Sequence, residues 1–380
     1  MSPLSMLPIL PLFALALCTV WALDRYAPLQ LPQTSRISSI DGLRGYLAFG
    51  VFLHHSSIWY LYLRTGQWTE PASAIYTQLG QASVSLFFMI TGFLFTAKLL
   101  SAPAKQMDWV RLYVSRVLRI TPLWLAVKVI VVVLALLVRH WSLDADNPSW
   151  LPSTASTGLM TAGVTWTLYF EWTFYLLLPW LALALCKRPP LLWLVLSVAT
   201  VCLLGFNRVI TFYSYTFLCG IAAAWLVQVQ PIQRFARSVW GGMAVLALLA
   251  VVYTRFDTAY SYVPTSLLAV AFVLIAAGNT LFGLLSCRLS RVFGEITFSV
   301  YLLHGMVLYV AYRLIVGLHT ASSLSMAAHW WVAAAATPCL IALSYLSFKY
   351  IEMPAMRQTT ACTAWLNKWL SRKNRGNTAP

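Results

Sequence analysis

The sequence predicts an all-α transmembrane helix bundle of about 11 helices. Three observations lead there: a composition poor in charge, a series of long apolar runs, and a lopsided distribution of basic residues between those runs. Of 380 residues, 60% are hydrophobic and only 9% are charged, whereas a soluble domain carries about 25% charged residues. Backbone groups in lipid must be satisfied within each segment or in a closed barrel. A barrel would show alternating segments of about ten residues, and these runs do not alternate, so each is expected to be a helix.

Taken in order, the runs that approach the roughly 17–25 residues needed to cross hydrocarbon are Met6–Leu23, Leu43–Leu63, Ala82–Leu100, Thr121–Val138, Val164–Cys186, Leu191–Phe206, Thr211–Leu226, Val239–Tyr253, Val263–Leu284, Ile296–Tyr312 and His329–Phe348. The first resembles a signal peptide in length. It lacks a basic leading region and a small-x-small cleavage site before Asp24, so an uncleaved helix is the better reading. Seven cysteines occur without a CxxC pair, five of them in apolar runs (Cys18, Cys186, Cys202, Cys219, Cys339). Buried free thiols are expected, with neither a disulfide framework nor a metal site.

The formal charge of +16 would suggest nucleic acid in a polar chain. Here the charges follow membrane topology instead, and no nucleic-acid partner is expected. With Arg36 taken as cytoplasmic and the runs alternating, 20 of the 26 Lys and Arg residues fall on the cytoplasmic side. Five fall outside (Arg64, Arg139, Arg208, Arg255, Arg313), and Lys128 lies within a run. That bias obeys the positive-inside rule. It predicts an N-terminus outside and a cytoplasmic basic tail, with membrane lipids as the surrounding partner.

Ionisable groups at membrane depth are costly and tend to face a cavity or a partner. Arg44, His54, His55, Glu171, His304 and Lys128 are such groups. Arg44 alone would be an ordinary snorkelling anchor. Eleven residues of helix turn through three turns and only about 20°, so Arg44 and His55 share a face about 16 Å apart. His54 points about 100° away and reads as a packed or interfacial histidine. Glu171 lies about 10 Å below the outer boundary, a depth similar to that of His55, where a carboxylate and an imidazole can offset each other's desolvation. A structural ion pair or a lone protonated acid would serve equally well for Glu171. His304 reads as a hydrogen-bonded core residue, and Lys128 can snorkel. The stretch MDWVRLYVSRVLRI brings Arg111, Arg116 and Arg119 to the cytoplasmic edge, where they would bind anionic lipid or, with Arg36 and Arg44, form a collar for a phosphorylated ligand. No Walker loop, HExxH or GxSxG is present, which removes support for nucleotide hydrolysis and serine-hydrolase chemistry.

Six motifs stand in a fixed order: Arg36 followed by Gly42–Gly45, with Arg44 ten intervening residues before His55; Leu86–Phe93; Ser115–Trp124; Trp166–Glu171 followed by Phe174–Pro179; Gly294–His304; and Glu352–Pro354. In this order they resemble the acyltransferase-3 family of membrane-bound O-acyltransferases, over about Arg36 to Arg357. Ser85, Thr91 and Ser115 depart from the family pattern. The resemblance implies a first helix and linker at 1–35, an acyltransferase domain at 36–357 and a basic cytoplasmic tail at 358–380. It implies transfer of an acyl group, usually acetyl, from cytoplasmic acetyl-CoA to a sugar hydroxyl of a lipid-linked or nascent polysaccharide such as O-antigen, at the bacterial inner membrane. The expected roles are His55 as base or nucleophile, Glu171 as the carboxylate orienting it, and Arg44 as holder of the donor. Arg36, Arg44, Arg116 and Arg119 are expected to contact acetyl-CoA. No metal is expected. A proton- or anion-coupled transporter would also place His, Glu and Arg in the membrane, and a noncatalytic partner in a glycan-export assembly would use the same spans without needing His55.

Overall fold

A computed structural model describes residues 5–31, 37–71, 73–101, 107–141, 154–185, 187, 189–204 and 211–376. The described residues form helices joined by turns and loops, with no strand. In chain order the helices are α1 (Ile9–Tyr26), α2 (Ser38–Thr65), α3 (Ala74–Ser101), α4 (Trp109–Trp141), α5 (Thr154–Met160), α6 (Trp166–Ala184), α7 (Leu191–Leu204), α8 (Phe212–Leu226), α9 (Gln230–Ala236), α10 (Val239–Arg255), α11 (Tyr262–Ala276), α12 (Arg288–Glu295), α13 (Thr297–Tyr309), α14 (Leu318–Ser323), α15 (Met326–Ser347), α16 (Met353–Arg357) and α17 (Thr359–Gly376). Short π-helical turns, Val310–Ile315 and Phe348–Glu352, extend α13 and α15.

Each of the 11 apolar runs coincides with a helix. By length and composition, five helical stretches can cross a membrane: Ile9–Tyr26, Ala74–Ser101, Trp109–Leu137, Thr297–Ile315 and Met326–Leu370. A sixth follows if α8 and α9, which meet at a 102° bend, form one broken span. Leu191–Leu203, α10 and α11 are apolar but shorter. The chain is therefore a multi-pass, all-α membrane protein.

Local chemistry sets several boundaries. α2 stops at Gly66, whose φ of 68° lets its N–H close back on the Tyr62 carbonyl at 2.8 Å, a left-handed cap that glycine adopts without strain. Ser238 and Ser325 cap α10 and α15 by accepting from Gly241 and Ala328, which satisfies N–H groups that have no partner within the helix. The run expected to continue to Leu284 breaks at Ala276 instead. The chain then turns through Gly278, Leu281, Phe282 and Gly283, all at positive φ, a path that apolar composition does not announce.

Two further features differ from the sequence reading. Residues 358–380, expected as a tail, contain α17, which packs along α4. Its Trp365 and Trp369 lie one turn apart, an apolar repeat hidden among basic residues. Cys18, Cys202 and Cys339 are exposed rather than buried, because an apolar residue in a bundle can face lipid as readily as the protein core. Cys186 lies outside the described residues. α2 is the most polar of the long helices, yet it is buried along most of its length from Ser39 to Trp59. One core gathers α1, α2, α13 and α15 around Phe49, Phe52, Trp59, Tyr312 and Tyr345. A second packs α2 and α3 on α8 and α11, and a third joins α3, α4 and α6.

Candidate active site

α2 carries the candidate chemistry, and glycines decide how closely its neighbours approach. A Cβ at Gly42 would lie 1.9 Å from the Leu285 carbonyl oxygen, and one at Gly45 would lie 2.6 Å from the Phe293 ring. From the other side, a Cβ at Gly294 would lie 1.7 Å from the Asp41 carbonyl oxygen. The backbones of α2 and α12 are thus in contact, and this contact seats Arg44. Its Nη2 donates to the Gly294 carbonyl at 3.2 Å and lies 3.6 Å from Asp41 Oδ1.

Three turns along α2, His55 meets His304 of α13. His55 Nδ1 is 3.0 Å from His304 Nε2 and 3.0 Å from the Val51 carbonyl. His304 Nδ1 is 3.2 Å from the Val300 carbonyl, and the two ring centroids are 4.9 Å apart. For two neutral rings, one assignment of protons satisfies all three contacts. Each Nδ1 carries the proton and faces a carbonyl, and His304 Nε2 accepts from His55 as well. His55 Nε2 is then an unprotonated lone pair, and it has no hydrogen-bond partner among the described residues. His304 is fully buried, whereas His55 remains partly accessible.

His54 occupies a different environment. Its Nδ1 is 2.8 Å from the Tyr76 carbonyl, and its ring fills the space beside Gly80, where a Cβ would come within 2.5 Å of it. It packs α2 against α3.

Glu171 is not the partner of His55. Its carboxylate accepts from the Tyr175 hydroxyl one turn along α6, and the Arg116 guanidinium acts on the same hydroxyl while lying 5.3 Å from the centre of the Phe95 ring. Matched depth along the two helices did not identify the group that His55 touches. The place expected for Glu171 is taken by His304, which the sequence reading left in the core. The signal for it was available: His304 is an ionisable residue at mid-membrane in a motif that repeats the His-after-Gly pattern of α2.

The arginine collar divides in two. Arg116 joins Tyr175 and Glu171, while Arg119 and Arg44 lie within electrostatic reach of Glu352. Glu352 is 1% exposed and accepts from the Ser299 hydroxyl. This acid was not singled out as a site residue, although it opens the last of the six motifs, just past the apolar run that ends at Phe348. Arg36 lies outside the described residues.

The arrangement brings together a partly accessible imidazole whose Nε2 makes no hydrogen bond among the described residues, a buried imidazole against its Nδ1, and a guanidinium group three turns along the same helix. Comparison with known proteins agrees with acyl-transfer chemistry. The profile of the family described as "Acyltransferase domain" matches residues 37–349. The chain is 26% identical to a protein of Streptomyces mycarofaciens named acyltransferase MdmB, across 86% of this chain and 93% of that one. No solved structure matches. Over a match that runs from the start of α2 through the end of α15, this chain belongs to the acyltransferase-3 family of membrane enzymes that transfer acyl groups.

Proposed function

We propose that the enzyme is an O-acetyltransferase that moves acetyl from cytoplasmic acetyl-CoA to a sugar hydroxyl of a lipid-linked or growing bacterial surface glycan at the inner membrane. The observation that carries this reading is the open Nε2 of His55, with Nδ1 held by His304. In this mechanism Nε2 takes the proton of the acceptor hydroxyl as its oxygen attacks the thioester carbonyl. Collapse of the tetrahedral intermediate releases the CoA thiolate, which recovers the proton from the imidazolium. The imidazolium is stabilised by donating its Nδ1–H to His304, much as a triad histidine leans on its carboxylate. A relay in which acetyl rests on Nε2 before passing to the hydroxyl would use the same nitrogen.

Acetyl-CoA is anionic, and planar guanidinium groups suit its phosphates. Arg44 and Arg119, both near Glu352, are the proposed holders at the cytoplasmic end, and Arg36 and Arg116 are proposed as further contacts to the donor. The purified enzyme in lipid, supplied with acetyl-labelled acetyl-CoA and membrane glycan, should move label to the glycan. Mass spectrometry of the surface glycan from cells with and without the gene should show a matching acetyl difference. Solute flux with no label transferred would replace this reading with the transporter.

A further inference from the structure

The end of the bundle opposite Arg44 carries a feature that the chemistry above does not use. After Gly66 reverses the chain, the next residues fold back along α2. The Trp68 indole lies 6.1 Å from the His55 ring at an interplanar angle of 22°. It also meets Trp59 at 5.8 Å and Tyr62 at 5.7 Å. Positions 55, 59 and 62 form one face of a helix, so Trp68 lies down that face towards the catalytic ring. A tryptophan of an interfacial belt sits at headgroup level; this one stays 36% exposed while stacked on a histidine. Two residues on, Glu70 meets α3, where Gln81 Nε2 donates to its carboxylate at 2.8 Å. Gln81 Oε1 accepts in turn from Thr258 Oγ1 and the Ala259 N–H, which fixes the amide orientation. Glu70 is itself exposed, and these bonds hold its carboxylate beside the end of α3.

We propose that Trp68 and Glu70 form the acceptor subsite, taking a hydroxyl-bearing ring, a sugar, with its C–H face on the indole and adjacent hydroxyls on the carboxylate. This rests on the acetyltransferase reading for its consequence but not for its binding chemistry. An indole presents a large apolar face that needs no hydrogen-bond partner. A carboxylate accepts from two hydroxyls at once. Together they match a ring with an apolar face and a polar edge, and the carboxylate has no partner on a plain alkyl chain. The stack on His55 then delivers a ring hydroxyl beside Nε2. The negative charge of Glu70 sets a preference, because a ring carrying its own carboxylate meets like-charge repulsion that a neutral ring escapes.

The test uses the full chain in lipid nanodiscs, with methyl β-glucoside and methyl β-glucuronide as probes and saturation-transfer NMR as the readout. Wild type should saturate the ring protons of the glucoside more strongly than those of the glucuronide. Trp68→Leu should weaken glucoside binding at least about tenfold, while Trp68→Phe should retain most of it. Glu70→Gln should narrow the difference between the two probes. Thermal unfolding within a few degrees of wild type confirms that the variants are folded. The ¹⁵N-indole signal of Trp68, assigned by its loss in Trp68→Phe, should shift on glucoside addition in wild type. Absence of sugar saturation in wild type, or unchanged binding in a folded Trp68→Leu variant, overturns the proposal, as does an unmoved indole signal. Sugar binding that depends on Trp68, in an enzyme that moves no acetyl label, leaves the subsite standing and removes the acetyltransferase reading.

Discussion

The two histidines that touch differ in what they can do. His304 is fully buried and spends Nδ1 on the Val300 carbonyl, so it can orient and share a proton but cannot reach an acceptor. His55 is partly accessible and keeps Nε2 open. Loss of a positioned base costs typically 10²–10⁴ in rate, so His55→Ala should lower kcat by about that factor. His304→Ala should lower kcat by less with the donor KM unchanged, and His304→Gln should recover part of it, because a glutamine oxygen can accept from Nδ1–H. His54→Ala should keep turnover and lose thermal stability, since its ring fills space beside Gly80. These four variants are compared by initial rates with labelled acetyl-CoA. A second prediction separates Glu171 from the histidines. Because Glu171 is bonded to Tyr175, Glu171→Gln and Tyr175→Phe should be non-additive with each other, by about 0.5–3 kcal/mol in a double-mutant cycle. Each should add independently to His55→Ala in stability. The position of Arg44 and His55 on one helix face was legible, because spacing along one helix is fixed by 3.6 residues per turn. The pairing of His55 with His304 was not, because contact between helices depends on which faces meet, and no local rule supplies that.

Among elements, helix identity was the legible part and helix contact the illegible one. Eleven apolar runs became helices because lipid leaves the backbone no alternative. What fixes the α2–α12 contact is the absence of side chains at Gly42, Gly45 and Gly294, and small residues at a membrane interface let backbones approach in this way. The glycines flanking Arg44 were visible in the sequence as a motif; their partner backbones at Leu285 and Asp41 were not. Gly294→Ala would set a methyl 1.7 Å from a carbonyl oxygen, so α2 and α12 must separate. Overpacking of this kind costs typically about 1–3 kcal/mol. Because the Gly294 carbonyl accepts from Arg44, the same substitution should raise the KM for acetyl-CoA on the proposed donor reading. Thermal unfolding and donor kinetics on one preparation check both effects, and a loss of stability with unchanged donor KM would separate Arg44 from donor binding.

Across the whole molecule, the contacts sort the helix ends into two groups, and the grouping is the one that charge alternation predicts. At one end Arg288 of α12 grips Asp24 of α1 through two bonds of 2.7 and 2.9 Å. Tyr345 of α15 donates to the Ala27 carbonyl at 2.7 Å, Ser39 of α2 to the Ile275 carbonyl at 2.9 Å, and Asn279 to the Ala236 carbonyl at 2.6 Å. At the other end Tyr76 donates to the Ser5 carbonyl and Gln78 to the Phe256 carbonyl, each at 2.9 Å, and Arg64 donates to the Leu324 carbonyl. A single miscounted span would have set residues of opposite assigned sides against each other. α1 belongs to this assembly even though the family match begins after it, since Leu12, Ala16 and Val20 are buried and Phe13 meets Phe49 at 5.0 Å. The contacts show which helix ends lie together, and from the excess of basic residues we propose that the end holding Arg288 and Ser39 is the cytoplasmic one. Reporter fusions after Arg237 and Arg357 should therefore both report cytoplasm, and fusions after Asp257 and Gly317 should both report the outside. Reversal of all four would invert the molecule and place the Trp68 opening in the cytoplasm. Disagreement within either pair would break the shared-side grouping itself, because Arg237 is tied through Asn279 and Ser39 to the end that holds Arg44.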